Sequence, residues 1–230
     1  MPFTKEDMSP RDRQKREAAR AALREVPKGC WLGVGTGSTT HHFIQLLPKG
    51  WVRGAVASSV ATARALKRRG IRVAPMLPTR KLAVYVDGAD EADPRLRLIK
   101  GGGGALTREK IVATASRRFV CIADRSKLVP RLGRFPVPLE VVPMAREQVA
   151  AAVRNLGGRP VWRKGFVTDN GGEILDVHGW RIADPAKLER KLEAIPGVIC
   201  AGIFGKRKAD LLLLGTPAGV RRIRAGSKIR

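Results

Sequence analysis

Leu82-Ala-Val-Tyr-Val86, followed directly by Asp87-Gly-Ala-Asp90-Glu91, carries the strongest structural signal in the chain. The apolar half is short and rich in β-forming residues, which predicts a buried strand that ends at Asp87. In open α/β sheets, ligands bind in the crevice outside the carboxyl ends of the strands. Two carboxylates, those of Asp87 and Asp90, are therefore expected where a ligand would bind.

A glycine-rich segment and a third carboxylate follow this strand. Lys100 precedes four glycines, residues 101–104, and Glu109 lies near the start of a helix predicted from Thr107 to Arg118. Consecutive glycines destabilise regular structure through backbone entropy, so they indicate a backbone that approaches a ligand closely. Each charged residue alone has an ordinary explanation as a turn former, a helix-dipole partner or a solvated side chain. Together they predict an acid/base site beside a loop that can wrap an anion.

Strands and helices alternate on both sides of this region. Helices are predicted over residues 9–26, 43–47, 60–69 and 107–118, and strands over residues 30–34, 52–57, 71–73, 82–86 and 119–123. Ser58-Ser59 is expected to cap the third of these helices. Repeated strand–helix pairs predict α/β structure, with a parallel Rossmann-like sheet covered on both faces.

The pattern changes after Pro130. Strands are predicted over residues 139–142, near 161, and over 166–169, 174–177 and 198–204, with helices over 145–155 and 185–194. This order resembles a small α+β (ferredoxin-like) sandwich, to which we assign oligomer contacts. A strand at 210–215 and a last helix opened by Thr216-Pro217 are expected to return to the first sheet. We predict a Rossmann-like catalytic domain over 1–131 plus 206–230 and a small α+β domain over 132–205.

The net charge is the unusual feature of the composition. Lys and Arg number 45 against 20 Asp and Glu, a formal net charge of +25, which raises nucleic acid as a partner. However, the basic residues are spread over the chain, and the aromatic residues, 5% of the total, indicate no stacking platform. The composition therefore predicts a solvated basic surface with nonspecific affinity for polyanions, and no specific nucleic-acid site.

Targeting and metal-binding signals are absent from the sequence. No apolar run reaches the length of a bilayer span, and residues 1–7 lead into a charged segment without the apolar region of a secretory signal. Cys30, Cys121 and Cys200 are odd in number and far apart, which predicts buried free thiols in a reducing compartment. No Cys/His spacing indicates zinc. We expect a cytoplasmic protein without membrane contact and without a bound metal.

A second loop, Gly33-Val-Gly35-Thr-Gly-Ser-Thr39, lies between a predicted strand and a predicted helix. Backbone N–H groups at a helix start, together with hydroxyl groups, suit a phosphate or a sugar. A dinucleotide site would require glycine in place of Ser38 and an acidic residue after the second strand, and a P-loop would require Gly-Lys-Ser/Thr. The motif alone is compatible with a ligand loop and with a tight turn that binds nothing.

Two lysines are further candidates. Lys127 follows the next predicted parallel strand, so it would face the same crevice and could contact a phosphate. Lys15 on the first helix is the weaker candidate, because several other basic residues surround it.

Taken together, these motifs resemble the type A ribose-5-phosphate isomerase family. The resemblance rests on the strings at 35–39, 85–91, 99–102, 106–110 and 122–127, and it continues at 135–144, 156–160, 167–170, 194–198 and 215–217. It covers nearly the whole chain in order. A basic extension of the first helix, the fourth glycine Gly104 and the tail 225–230 depart from the family pattern, but no motif carboxylate is affected. The resemblance does not explain the high basicity.

The resemblance implies a cofactor-free aldose–ketose isomerase of the non-oxidative pentose phosphate pathway, which interconverts D-ribose 5-phosphate and D-ribulose 5-phosphate through a cis-enediolate. Glu109 would move a proton between C2 and C1, and Asp87 would assist ring opening and proton movement between O1 and O5. Asp90 and Lys100 would handle the charge that develops on oxygen. The implied substrate-binding residues are Thr36, Gly37, Ser38, Thr39, Gly88, Ala89, Gly101, Gly102, Gly103, Lys127 and Lys15. The family also implies a homodimer or a dimer of dimers.

Three other functions fit parts of the sequence. An amino-sugar phosphate deaminase would need a ring-opening histidine, but His41, His42 and His178 do not adjoin the acidic motif in sequence. A non-catalytic sugar-phosphate sensor would bind without turnover, which the intact set of acids and lysine disfavours. A nucleic-acid-binding protein would depend on the net charge alone, and its binding would weaken with salt without sequence preference.

Overall fold

The computed structural model describes residues 8–224, so the expectations for residues 1–7 and for the basic tail 225–230 lie outside it. Over the described residues the chain divides into two compact units. Unit 1 consists of residues 8–88, 112–128 and 209–224, and unit 2 consists of residues 89–111 and 129–208. The domain division inferred from the sequence, with boundaries at 131/132 and 205/206, stays a prediction.

Unit 1 is built on a six-stranded sheet in which five neighbouring strands are parallel. The spatial order is β13 (Gly219–Arg224), β12 (Leu211–Thr216), β6 (Phe119–Asp124), β3 (Val84–Asp87), β1 (Trp31–Val34) and β2 (Gly54–Ala57). β13 is antiparallel to β12 and forms one edge. Every residue of β3 and β6 is buried, as is typical of parallel strands covered on both faces. The predicted parallel α/β sheet is thus confirmed.

The helices of unit 1 begin at the residues that local chemistry favours. They are α1 (Pro10–Ala22), α2 (Ser38–Leu46) and α3 (Val60–Arg68), and α4 (Leu106–Thr114) begins in unit 2 and ends in unit 1. The Ser9 hydroxyl caps α1 by accepting a hydrogen bond from Asp12 N at 3.1 Å, and Pro10 stands at the first helical position. Ser59 caps α3 in the same way, as predicted, with Thr62 N at 3.0 Å.

Unit 2 contains a four-stranded antiparallel sheet and a small three-stranded sheet. The larger sheet has the order β10 (Val198–Ala201), β7 (Val137–Val141), β9 (Glu173–His178) and β8 (Arg159–Trp162). The smaller sheet has the order β11 (Ile203–Phe204), β5 (Leu98–Ile99) and β4 (Glu91–Ala92). Helix α5 (Arg146–Asn155) packs against β8 and β9, and helix α6 (Pro185–Glu193) packs against β10 and β11. This is the α+β architecture expected for the second part of the chain.

The prediction of a last helix after Thr216 was wrong. Pro217 and Ala218 form the turn of a hairpin between β12 and β13, in which Thr216 Oγ1 donates to Gly219 O at 2.8 Å. Gly219 has a φ of +113°, which favours glycine. Proline suits the second position of a β-turn as well as the first turn of a helix, so the Thr-Pro signal was ambiguous.

Three predicted strands also differ from the structure. Residues 71–73 contribute an isolated bridge from Val73 to Ala55, and residues 166–169 form a turn in which Thr168 N donates to Gly172 O at 2.9 Å. The predicted strand 198–204 is divided at Gly202, whose N–H donates to Pro138 O at 2.7 Å and whose carbonyl accepts from Lys100 N at 2.9 Å. A Cβ at Gly202 would lie 2.3 Å from Lys100 O, so the close approach requires glycine.

The three cysteines were expected to be buried free thiols. All three cysteines are free among residues 8–224, but Cys30 is only half-buried, whereas Cys121 and Cys200 are buried. Burial raises the pKa of Cys200 to about 11, so this thiol is unreactive near neutral pH.

Within the described part of the chain, no helix combines the length and the apolar character needed to cross a bilayer.

Basic and aromatic side chains meet around Trp31 in unit 1. The guanidinium groups of Arg53, Arg72 and Arg80 lie 5.9, 5.6 and 4.3 Å from the centroid of the Trp31 ring. These distances are typical of cation–π contacts. The indole ring is thus engaged by the chain's own cations, and the absence of specific nucleic-acid binding stays a prediction.

Candidate active site

The neighbouring ends of β1 and β3 in unit 1 bring several of the candidate residues together. The chain passes from β1 to β2 on one side and then to β3 on the other, so the strand order reverses between β1 and β3. Such switch points are where open α/β sheets bind ligands. Gly35 N donates to Val86 O at 2.9 Å, and Thr36 N donates to Asp87 Oδ1 at 3.0 Å. The Gly35–Thr39 loop and Asp87, two separate sequence motifs, are therefore hydrogen-bonded neighbours.

Asp87 is fully buried, and four donors surround its carboxylate. Oδ1 accepts from Thr36 N at 3.0 Å, Gly88 N at 2.7 Å and Thr40 Oγ1 at 3.3 Å, and Oδ2 accepts from the Tyr85 hydroxyl. Sequence reasoning missed Thr40 and Tyr85. A signal for Tyr85 was available, because residues two apart on a strand share one face. These contacts fix the orientation of the carboxylate.

Hydroxyl groups support the loop between β1 and α2. Thr36 Oγ1 lies 2.9 Å from Ser58 Oγ, 2.9 Å from Ser59 Oγ and 3.2 Å from Thr62 Oγ1. The end of β2, which lacks a ribose-binding acid, therefore supports the loop through hydroxyl groups. Gly37, with a φ of +127°, precedes α2 and supplies no side-chain cap. The loop borders a pocket of about 230 Å³.

The remaining loop residues and Lys15 have different surroundings. Ser38 is exposed at the start of α2, whereas Thr39 is buried. Lys15 Nζ lies 3.1 Å from Asp12 Oδ1, so this lysine takes part in an ion pair on its own helix. The binding roles assigned to these residues stay predictions.

Lys127 lies at the carboxyl end of β6, the neighbour of β3. It belongs to a short 3-10 turn, Arg125–Lys127, which begins at Asp124. The Asp124 carboxylate accepts from Ser126 N at 3.0 Å and from Arg11 Nε at 3.2 Å. Although burial raises the pKa of Asp124, these hydrogen bonds hold it below its ordinary value. Lys127 thus ends a structured turn that follows β6, at the carboxyl ends of the strands where Asp87 also lies.

Unit 2 contains a buried ion pair. Lys100 Nζ lies 3.3 Å from Glu109 Oε2, and the exposed fractions of the two side chains are 3% and 5%. Lys100 directly follows β5, and Glu109 stands in the first turn of α4. Desolvation offsets most of the Coulombic gain of such a pair, so stability alone is a weak reason for it. A buried charged pair next to a glycine loop is instead a candidate for chemistry.

The glycine loop, residues 101–104, connects β5 to α4 through a tight turn. Gly104 N donates to Gly101 O at 2.9 Å, and these two glycines have φ angles of +75° and +103°. Gly102 N donates to Asp90 Oδ2 at 2.8 Å, and a Cβ on Gly102 would lie 2.7 Å from Asp90 Oδ1. Asp90 therefore holds the loop through its backbone, and three of the four glycines have a geometric reason to be glycine.

Residues on either side of Glu109 anchor the first turn of α4. Each contact reaches a partner far along the chain, 33, 62 or 79 residues away. The contacts are Thr107 Oγ1 to Glu140 Oε2, Arg108 Nε to Asn170 Oδ1 at 2.7 Å, and Lys110 Nζ to Glu189 Oε1 at 2.6 Å. Sequence reasoning missed these partners, because no local pattern indicates which distant side chain completes a contact. They fix the helix turn that carries Glu109.

Lys110→Met is expected to destabilise the chain by about 3 kcal/mol at pH 8, because removal of the ammonium leaves the buried carboxylate of Glu189 uncompensated. Burial lowers the pKa of Lys110, but Cys200 and the carboxylates of Glu189 and Glu193 raise it above its ordinary value overall. The stabilisation is therefore complete below the unfolded-state pKa of about 10.4 and is lost as the pH rises through the folded-state pKa. Urea unfolding of both proteins should show that the difference in their free energies of unfolding is smaller at pH 11 than at pH 8. An equal difference at both pH values would contradict this prediction.

Comparison with known proteins identifies relatives along nearly the whole chain. The profile of the family described as ribose 5-phosphate isomerase A (phosphoriboisomerase A) matches residues 54–219. A ribose-5-phosphate isomerase A from Acidithiobacillus ferrooxidans is 55% identical over 211 residues, which cover 91% of this chain and 96% of the relative.

Solved structures agree with this result. The crystal structure of ribose 5 phosphate isomerase A from Neisseria gonorrhoeae has a TM-score of 0.93 at 45% identity, over 96% of this chain and 100% of that one. A D-ribose-5-phosphate isomerase in complex with phospho-erythronic acid has a TM-score of 0.90 at 35% identity, over 94% of this chain and 100% of that one. The family profile, the sequence relative and the solved structures agree, and the chain is a member of the ribose 5-phosphate isomerase A family.

Proposed function

We propose a residue-by-residue mechanism for the activity of this chain, the interconversion of D-ribose 5-phosphate and D-ribulose 5-phosphate. In this proposal Glu109 is the base that moves a proton between C2 and C1 through a cis-enediolate. The observation that carries the proposal is the buried ion pair in which Glu109 Oε2 lies 3.3 Å from Lys100 Nζ. Glu109 stands in the anchored first turn of α4, so its carboxylate is held in position. A positioned carboxylate is the group that general base catalysis requires.

The proton transfers balance without a cofactor. The Glu109 carboxylate takes the proton from C2 of the open-chain aldose, the released electron pair forms the C1–C2 double bond, and the carbonyl electrons move to O1. The carboxyl group then returns the proton to C1, O1 gains a proton and O2 loses one. The product is the ketose, with its carbonyl group at C2.

The charge that develops on oxygen needs donors that are already in place. Preorganised donors in a site that excludes water lower the barrier because they need no reorganisation during the reaction. We assign this role to the Lys100 ammonium and to amides of the glycine loop. Asp90 contributes by holding the loop, since its carboxylate accepts from Gly102 N at 2.8 Å.

Asp87 is proposed to assist the opening of the furanose ring, in which the C1–O4 bond breaks, O1 loses a proton and O4 gains one. The expected proton movement between O1 and O5 is wrong, because O5 carries the phosphate. The support is its burial together with the ordered donors around it, which hold one carboxylate orientation. The adjoining loop residues Thr36, Gly37, Ser38 and Thr39, and the backbone at Gly88 and Ala89, are proposed to bind the substrate.

Phospho-erythronic acid, found in one solved relative, provides a probe for this mechanism. It carries a phosphate and a planar carboxylate, and a pentose phosphate enediolate likewise carries a phosphate and a planar, oxygen-bearing anionic end. We therefore expect it to compete with ribose 5-phosphate for this chain.

The test of the proposed function is the conversion of ribose 5-phosphate in D₂O, in the presence of a chelator, followed by proton NMR. An enediolate that exchanges its proton with solvent replaces hydrogen by deuterium at C2 of the aldose and C1 of the ketose. We expect ribulose 5-phosphate to form with deuterium at C1. Absence of conversion would refute the function, and conversion without deuterium uptake over repeated turnovers would contradict the exchanging base.

Lys127→Ala is expected to raise KM about tenfold and to change kcat much less, since one charge-assisted contact to the phosphate would be lost in ground state and transition state alike. Steady-state kinetics measure this directly. Lys187→Ala removes the same charge from an exposed position of α6 and serves as the control. A fall in kcat as large as the rise in KM would mean that Lys127 acts in the transition state.

We also propose a cytoplasmic homodimer or dimer of dimers, with contacts made by unit 2. The support is the distribution of exposed apolar side chains, most of which belong to unit 2: Ile111, Val142, Met144, Leu156, Val161, Trp162, Val167 and Ile199. Exposed apolar surface marks interaction sites when it is contiguous. Light scattering coupled to size-exclusion chromatography measures the oligomeric state. A monomer at all protein concentrations would refute the proposal.

A further inference from the structure

Arg163 contacts the glycine loop, although it lies outside the motifs quoted above. It follows β8, and its guanidinium group binds Asp176 on β9 through two hydrogen bonds, Nε to Oδ2 at 2.8 Å and Nη2 to Oδ1 at 2.6 Å. The remaining nitrogen, Nη1, donates to Gly102 O at 3.1 Å, and both Nη1 and Nη2 lie 3.5 Å from Gly101 O. A bidentate arginine–carboxylate pair has a fixed geometry, so Asp176 determines where Nη1 points.

The planarity of the peptide bond determines what this contact does. In a trans peptide, the C=O of one residue and the N–H of the next point in opposite directions. Because Arg163 binds the carbonyl of Gly102, the N–H of Gly103 must point away from Arg163. Gly103 is exposed, and its N–H makes no hydrogen bond to any residue between 8 and 224. The preceding N–H, that of Gly102, is already bound by Asp90.

Asp90 and Arg163 together hold two consecutive peptides of the loop, and Arg163 also reaches the carbonyl of the peptide that Asp90 binds. Asp90 binds the peptide between Gly101 and Gly102 through its N–H, and Arg163 binds the peptide between Gly102 and Gly103 through its C=O. Without such contacts a glycine pair would adopt many backbone conformations, because glycine has the widest range of accessible φ and ψ. Of these two peptides, the N–H of Gly103 is the donor without a partner among residues 8–224, and its direction is defined.

We propose that Arg163, held by Asp176, is a positioning residue that directs the Gly103 N–H at the substrate oxygen on which negative charge develops. This inference rests on the proposed function. Arg163 does not itself touch the reacting atoms. Its contribution is to keep the donor in place before the reaction, and a donor that must reorient during the reaction loses much of its value.

Stability gives a weaker explanation for the pair. The side chains of Arg163 and Asp176 are 21% and 19% exposed, and ion pairs near the surface contribute little to folding. The positioning role therefore predicts a large effect on turnover with a small effect on melting temperature.

The protein contains a matched control in the same unit. Arg146 pairs with Glu147 at 3.0 Å and with Glu173 of β9 at 3.1 Å, and its guanidinium group lies 3.9 Å from the Trp162 ring centroid. Arg163 has an equivalent aromatic contact, with the Phe166 ring centroid at 5.3 Å. The two arginines thus have similar ionic and aromatic partners, but no contact of Arg146 with the glycine loop is among those of residues 8–224.

The experiment measures kcat, KM, melting temperature and the affinity for phospho-erythronic acid in the whole chain. Loss of one oxyanion donor typically costs a factor of about 10² to 10³ in kcat, and a misdirected donor should cost less. We expect Arg163→Ala and Asp176→Asn each to lower kcat about 30-fold, with KM changed less than about threefold. Arg146→Ala should stay within about twofold of wild type.

The conservative variant and the inhibitor separate positioning from charge. Arg163→Lys keeps the charge but cannot bind Asp176 and Gly102 O with one planar group, so we expect little rescue. Affinity for phospho-erythronic acid should fall with kcat, because its carboxylate would use the same donor. If the wild-type chain is active and Arg163→Ala has the same kcat as Arg146→Ala, the positioning role is overturned and the proposed function is not. A wild-type chain without turnover would overturn the proposed function and, with it, this inference.

Discussion

Glu109→Gln is expected to lower kcat about 10³-fold and to change KM only a few-fold. A positioned general base contributes about 10² to 10⁴ to the rate, and an amide cannot accept the C2 proton. The substitution keeps the size of the side chain and removes its basicity and its negative charge. Because it also leaves the buried Lys100 ammonium without its carboxylate, we expect a lower melting temperature. Turnover must therefore be compared well below the melting temperature of both proteins.

Deuterium uptake at C2 of ribose 5-phosphate gives an independent readout of this base. We expect Glu109→Gln to lose exchange and turnover together, since both need the same proton transfer. Glu147→Gln removes an equal charge from a side chain that is 76% exposed and should behave as wild type. Turnover close to wild type in Glu109→Gln would remove the base assignment, whatever happens to stability.

Gly35→Ala is expected to abolish measurable turnover and to reduce the free energy of unfolding by about 3 kcal/mol. A Cβ at this position would lie 1.8 Å from both Cγ and Oδ1 of Asp87, so the buried carboxylate would have to move. Displacement would break its bonds to Thr36 N and Gly88 N, and a buried charge without its donors is costly. Urea unfolding and kcat/KM measure the two effects.

Gly88→Ala is the matched control for folding. Its added Cβ would find its nearest neighbour, Ile122 O, at 3.8 Å, and Gly88 does not have a positive φ. We therefore expect its stability to equal that of wild type. If Gly35→Ala proved as stable and as active as wild type, the position of Asp87 described above would be contradicted.

Local patterns predicted the elements whose causes are local. The apolar run before Asp87 forms β3, although its bounds are Val84–Asp87, and Ser59 caps α3 as expected. A buried parallel strand needs only a short apolar run, and a cap needs only a hydroxyl at the right distance from a backbone N–H. Both conditions can be read from a few adjacent residues.

Predictions failed where two structures share one local signal. Thr216-Pro217 fits a helix start and a hairpin turn equally, and pairing of β13 with β12 favoured the hairpin. Gly202 interrupts an apolar run because its backbone bonds to Pro138 and Lys100, residues far from it in sequence. Neither outcome depends on information within a short window.

The chain's family, its α/β and α+β parts, and the chemical nature of its candidate site follow from ordered motifs, since residue types and spacing suffice to define them. The partners that orient the site do not follow from them. Only the tertiary structure shows these contacts, because packing of whole elements sets the distance between the groups that each contact joins. Examples are the bonds of Tyr85 and Thr40 to Asp87, of Thr107 to Glu140, and of Arg163 to Gly102. Sequence specifies which groups are available, and packing decides where each one points.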